Sequence, residues 1–297
     1  AVCHALASAG HTVVGYDNLS RGRRADLPAS VPLMTGDIRD RAAWTRAVTE
    51  VAPSAVVHLA AMHFIPDCIA RPAETRDVNI GGTRVVLDGC RAAGVPHIVF
   101  ASTAAVYAPS EAPCVEDGTP VGPLEIYGES KLEGERLMES HAADTGAACT
   151  SMRLFNAVGR RETNPHVIPH IFESLQRGDI IALGNIAPAR DYIDTRDIAE
   201  AVLALLATPG GYRALNVGTG TAYSVAQIVA RLESLLGRAL TIQQDASRAR
   251  ATERMTLVAD VSRMTAATRW RASRSIDDSL RDLIQAYALP VSAAQAD

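Results

Sequence analysis

An α/β fold with a doubly wound parallel sheet is predicted by three observations. Short apolar runs recur through the first half of the chain, at His11–Tyr16, Ser54–Ala60 and His97–Ala101. They are continuous rather than alternating, as strands covered on both faces are. Long helical patterns separate them, and strand–helix alternation of this kind gives parallel neighbours joined by crossovers. In such sheets ligands bind beyond the carboxyl ends of the strands.

Each element follows from local pattern. Ala1–Gly10 has helical character and meets a Gly-His turn with no strand before it and no initiator methionine, so the amino terminus is expected to be missing. His11–Tyr16 reads as a buried strand ending in Asp17. After the Ser54–Ala60 strand, Asn79–Ala93 is a helix stopped by Gly94, a residue suited to the left-handed turn that closes helices. The His97–Ala101 strand is followed by a helix over Tyr127–Thr145 and a strand over Cys149–Phe155. From about Asn156 the pattern loosens, punctuated by Pro165, Pro169, Pro188, Pro209 and Gly210-Gly211. Residues 1–155 are therefore expected to form the sheet domain and 156–289 a smaller substrate-facing lobe interleaved with it, with 290–297 a frayed tail.

Composition narrows the function. At 297 residues, 47% of them hydrophobic, the chain suits one large globular domain or a domain plus a lobe. A net charge of −4 argues against nucleic acid or an anionic membrane as partner. No apolar run approaches the roughly 20 residues of a membrane helix. The cysteines Cys3, Cys68, Cys90, Cys114 and Cys149 lack Cys-x-x-Cys spacing and read as reduced, packed thiols of a cytoplasmic protein. No metal site is expected.

Of 29 basic residues, Lys131 is the only lysine; arginine serves wherever a positive charge merely has to exist. It lies four residues after Tyr127, one helical turn away, so phenol and ammonium share a helix face. A cation there is expected to lower the phenol pKa from about 10 and make Tyr127 a general base near neutral pH. Against this stands ordinary helix surface, since an exposed Tyr/Lys pair has the same spacing. Asp17, at a strand end, is placed to accept hydrogen bonds from a ribose, and Ser102-Thr103 puts hydroxyls at the end of another strand. Each reads equally well as a turn residue in isolation.

Taken in order, these residues resemble the extended short-chain dehydrogenase/reductase family, and within it nucleotide-sugar epimerases of the UDP-glucose 4-epimerase type. The resemblance covers nearly the whole chain and implies a Rossmann-like, NAD-binding first domain. Asp17-Asn18-Leu19 resembles the family's ribose-binding strand end, Gly36-Asp37-Ile38-Arg39 its adenine-side loop, and His58-Leu59-Ala60-Ala61 the strand beside the cofactor. Asn79 matches a helix asparagine, and Ala101-Ser102-Thr103 the serine/threonine strand end. Phe155-Asn156 resembles a motif whose Asn contacts substrate, and Arg190-Asp191-Tyr192 a diphosphate-binding segment followed by Asn216-Val217-Gly218. Arg250, ten residues before Asp260, is the expected second diphosphate arginine, and Leu257 lies near a position that gates sugar size. The resemblance thus implies cofactor contacts at Asp17, Asn18, Asp37, Ile38, Leu59, Ala60, Ala61, Asn79, Ser102, Tyr127, Lys131 and Phe155. It implies catalysis by Tyr127, Lys131 and Thr103, and UDP-sugar contacts at His63, Thr103, Asn156, Arg190 and Arg250.

Departures from the family pattern are informative. Its opening strand and Gly-x-x-Gly-x-x-Gly turn are not matched, and His63 stands where typical epimerases carry lysine. The family's dehydratases carry Asp-Glu, and its decarboxylases a glutamate, where this chain has Ala104-Ala105, which cannot move protons. What remains is oxidation at C4 and its reversal, with tightly held NAD. The alternatives are a reductase or epimerase of another sugar nucleotide, and an NAD-binding regulatory protein that has lost catalysis. The family pairs as homodimers through the tyrosine-bearing helix, for which Leu132, Arg136, Leu137 and His141 are candidates, although a core-facing stripe would look the same.

Overall fold

A computed structural model describes residues 1–162, 164–245 and 254–291. The chain starts with α1 (Val2–Ser8), β1 (Gly15–Asp17), β2 (Leu33–Thr35), α2 (Arg41–Val51) and β3 (Val56–His58). Next come α3 (Ile65–Ala70), α4 (Pro72–Arg76), a π-helical turn at Asp77–Gly81, α5 (Gly82–Ala92), β4 (His97–Thr103), α6 (Ile126–Thr145) and β5 (Ala148–Leu154). The remainder holds β6 (Asn156–Val158), α7 (Val167–Leu175), β7 (Ile180–Leu183), β8 (Ala189–Asp194), α8 (Thr195–Ala207) and β9 (Arg213–Val217). It closes with β10 (Ala222–Ser224), α9 (Val225–Leu236), β11 (Thr241–Gln244), β12 (Thr256–Leu257), α10 (Ser262–Thr268) and α11 (Ile276–Ala286).

The expected parallel sheet is present. β3, β4, β5 and β9 lie in that order, all parallel, and β1 pairs in parallel with β2. Every residue of β4 is buried, which explains its unbroken apolar run. Ile98 and Phe100 face one core with Val86, Leu87, Cys90, Met138 and Cys149. Val99 points the other way, into a second core with Met152, Ile198, Val202, Leu205 and Met264. Helices therefore cover both faces, and the sheet is doubly wound. A third core joins α7, β7, α9 and α11 through Ile171, Phe172, Ile228, Leu232 and Leu280. Around it, β8 pairs with β6, β10 and β12, and β7 with β11.

Three expectations shift. The first strand is only Gly15–Asp17, because its ladder extends no further than its partner Leu33–Thr35. The pattern expected to be one helix from Asn79 begins instead as the π-helical turn, and regular α-helix starts at Gly82. The supposed pairing stripe on α6 is largely internal: Leu132 and Leu137 pack against buried cores and His141 is 3% exposed, leaving only Arg136 outside.

α6 meets the sheet at a glycine. A Cβ on Gly134 would sit 2.5 Å from the Phe100 ring, so only glycine lets the helix approach β4 this closely. Gly128 does the same at the helix start, where a Cβ would fall 2.6 Å from the Ala105 carbonyl oxygen. These two contacts set how near the face bearing Tyr127 and Lys131 comes to the end of β4.

Candidate active site

A cavity of about 820 Å³ opens at the carboxyl ends of β3, β4 and β5. Thr103, Tyr127, Lys131, Phe155, Asn156, His63 and Arg190 all line it, so residues scattered through the sequence converge there. Leu59, Ala61 and Ser102 also reach its wall, while Ala60 packs toward the sheet core.

The Tyr127 phenol lies beside the Thr103 hydroxyl, which favours its ionised form and whose oxygen accepts the Ala105 N–H at 3.2 Å. Lys131 is 3% exposed, and its ammonium lies 4.6 Å from the Phe100 ring centroid. Among the described residues no carboxylate or hydrogen-bond acceptor pairs with it. Here the expected coupling fails. Burial pushes the phenol up to about 12 and the ammonium down to about 7, and Lys131 is not among the groups that perturb Tyr127. Desolvation of each group exceeds their mutual attraction.

Buried polar braces hold this wall. Asn79 accepts the Met62 N–H at 2.8 Å and donates to the Met62 carbonyl and to Ser130 Oγ, each at 2.9 Å. Ser130 in turn donates to the Tyr127 carbonyl at 2.8 Å. Both amide protons of Asn79 are committed inside the protein, so it positions the loop after β3 against α6 from behind the cavity. The Ser102 hydroxyl likewise donates to Glu135 rather than facing a ligand. Glu135 is clamped by Arg153 through bonds of 3.0 and 2.7 Å, with both side chains under 10% exposed.

At the far end, Asp17 closes β1, exposed, and accepts the Leu19 N–H at 2.6 Å. Asp37 is taken up by Arg39 and by Asn18, whose amide donates to it at 3.1 Å. The Arg39 guanidinium holds that carboxyl well below the usual range. Ile38 is buried against Gly82, where a Cβ would meet it at 2.5 Å.

On the opposite wall Arg190 leaves β8 with one N–H on the Ala189 carbonyl at 2.9 Å. Its neighbour Asp191 is fully buried and accepts the Thr219, Gly220 and Ala259 backbone N–H groups. A Cβ on Gly218 would fall 2.7 Å from that carboxylate, which is why glycine follows Asn216-Val217. Arg250 lies outside the described residues. Arg254, not anticipated, does line the cavity: it is 8% exposed, and its guanidinium donates to the Ala104 and Ala105 carbonyls at 3.4 and 3.2 Å. Glu125 lines the cavity as well; burial lowers the Arg254 pKa, and the Glu125 charge offsets part of that. A strand-flanking arginine followed by Thr256-Leu257 was the available signal. Leu257 reaches the cavity, as expected of a gate.

His63 stands exposed to the cavity, where desolvation lowers its pKa. Its Nε2 accepts from Asn164 Nδ2 at 2.9 Å.

The residues fit a dinucleotide. A buried ammonium paired with no carboxylate among the described residues, a strand-end threonine beside a tyrosine, and an acid closing β1 are groups that ribose hydroxyls and a nicotinamide-proximal reaction centre require.

Residues 1–218 match the NAD dependent epimerase/dehydratase family. A UDP-glucose 4-epimerase of Corynebacterium glutamicum is 34% identical over 88% of this chain and 83% of its own length. The crystal structure of UDP-glucose 4-epimerase from Brucella ovis in complex with NAD superposes with a TM-score of 0.89 at 29% identity, covering 98% of this chain and 95% of that one. The Thermus thermophilus UDP-glucose 4-epimerase complex with NAD gives 0.86 at 27% identity, over 97% and 94%.

Proposed function

The chain belongs to the NAD dependent epimerase/dehydratase family, and we propose on that premise that it is an NAD-dependent UDP-sugar 4-epimerase interconverting UDP-glucose and UDP-galactose. The observation that carries this reading is the Tyr127–Thr103 pair beside Lys131 at the end of β4, with alanines at 104 and 105. Tyr127 takes the proton of the C4 hydroxyl, directly or through Thr103, and returns it. When bound, NAD supplies hydride acceptance and donation at C4. Lys131 holds the ribose hydroxyls beside it, and Asp17 accepts from the adenosine ribose. Arg190, with Arg254 on the same wall, binds the diphosphate by charge-assisted hydrogen bonds, leaving the sugar free to present either face.

In this reading residues 1–155 serve the cofactor and 156–289 face the substrate. Five free cysteines support a reducing, cytoplasmic setting, and among the described residues no helix is long and apolar enough to cross a membrane. A homodimer is part of the proposal and is tested by sedimentation.

Proton NMR with UDP-galactose in heavy water tests the reaction. UDP-glucose free of sugar deuterium is the expected product. A deuterated 4-keto-6-deoxy sugar would mean dehydration, with a cavity acid such as Glu125 in play, and would overturn the reading.

A further inference from the structure

The cavity wall opposite Lys131 carries a cluster that the epimerase chemistry leaves unused. His63 follows β3, whereas Glu162 and His166 lie between β6 and α7. One ring nitrogen from each histidine and one Glu162 oxygen lie within 4.8 Å of one another. Three ligands on a tetrahedral zinc-class ion, at bonds of about 2.1 Å, stand about 3.4 Å apart, so side-chain rotation alone closes the set.

The surroundings organise these ligands. His63 Nε2 accepts from Asn164 Nδ2 at 2.9 Å. Asn164, 3% exposed, also donates its backbone N–H to Glu162 at 2.9 Å, so a single buried residue ties two of the three ligands together. His166 is stacked on His63 with ring centroids 6.2 Å apart and takes the edge of Phe64 at 5.3 Å. Two imidazoles and one carboxylate suit zinc, cobalt or nickel rather than calcium or magnesium, which prefer all-oxygen sets. Three protein ligands leave a fourth position open, and His63, Glu162 and His166 all line the cavity.

We propose that His63, Glu162 and His166 bind one divalent transition-metal ion of the zinc class at the cavity wall. Binding exchanges the Asn164 contact on His63 Nε2 for the metal and requires no change in the β4–α6 wall.

The test uses the full chain and cobalt(II) alone, read by visible d–d absorption and calorimetry. One equivalent per chain with tetrahedral absorption is expected. His63→Ala, His166→Ala and Glu162→Gln should each weaken binding by well over tenfold, since loss of even an outer-shell partner costs roughly 10–100-fold. Asn164→Ala keeps the backbone N–H on Glu162 and removes only the amide that competes for His63 Nε2, so it should retain or tighten binding, and weakened binding in the folded variant would count against the site. Thermal melting separates misfolded variants from folded ones that no longer bind. Absent d–d absorption in the wild type, tetrahedral d–d absorption persisting in the folded His63→Ala/His166→Ala double variant, or thiolate-to-cobalt absorption in the wild type, would overturn the proposal.

Discussion

On the β4–α6 wall of the cavity, Thr103, Tyr127 and Lys131 rest on buried partners. Gly134 admits the Phe100 ring, Asn79 and Ser130 tie the helix to the loop after β3, and Glu135–Arg153 locks helix to sheet. On the opposite wall His63 and Asn156 are exposed to the cavity, and Arg190 stands on a strand whose bracing comes from its neighbour Asp191. The difference teaches where precision is needed. Proton transfer demands donor and acceptor within hydrogen-bond reach, so the wall that moves protons is braced. The side chains of the opposite wall meet the cavity directly, with His63 held by Asn164 and Arg190 by the Ala189 carbonyl, and in the proposed reading that wall receives the UDP-sugar.

The comparison can be broken or sharpened by substitution. Tyr127→Phe, which removes only the phenol oxygen, should lower turnover by roughly 10²–10⁴-fold with the melting temperature little changed. Steady-state kinetics with thermal melting decide this; near-normal turnover would remove the proton-moving role from the braced wall. Glu135→Ala strands the buried Arg153 guanidinium and should cost about 3–5 kcal/mol of stability, measured by urea unfolding. A loss below 1 kcal/mol would show that the brace is not structural.

Lys131→Arg keeps the charge but puts a planar guanidinium over Phe100, and should cut turnover by well over tenfold. Activity within twofold of the parent would remove the need for a compact ammonium.

The pH dependence of stability follows from the buried ammonium. The ammonium, at about 7 in the folded chain, lies below its unfolded value of 10.5. The unfolded chain therefore binds more protons between these pH values, and stability rises with pH across the window by at most about 1.4 kcal/mol per unit. The phenol, raised to about 12 from 10.0, acts in the opposite sense above pH 10. Lys131→Met should flatten the slope between pH 7 and 10 in unfolding free energies. An unchanged slope would place its origin elsewhere.

What could be read from the sequence divides along similar lines. Tyr127 and Lys131 were legible because one helix period relates them, and Thr103 because it ends a buried apolar run. The parallel sheet was legible for the same reason as β4, although an apolar run reports burial, not ladder length, so β1 was drawn too long. The braces were invisible, since Ser102, Glu135 and Arg153 come from three elements and meet only in the folded chain. The hydrogen bonds of Ser102 to Glu135 and of Asn79 to Met62 and Ser130 were equally out of view, since their partners are distant in sequence. The depressed Tyr127 pKa was expected from charge alone; burial, which spacing does not reveal, reverses its direction. Glu125 and the His63–Glu162–His166 cluster carry no local pattern and appear only once the segments around β6 and α7 come together at the cavity.

The central claim is that the braced wall carries reversible oxidation at C4 through Tyr127. The most direct measurement is conversion of UDP-galactose labelled with deuterium at C4, followed by mass spectrometry and NMR of the product. Deuterium retained at C4 of UDP-glucose, with conversion lost in Tyr127→Phe, is the predicted result. Label lost to solvent, or conversion undiminished in Tyr127→Phe, would contradict it.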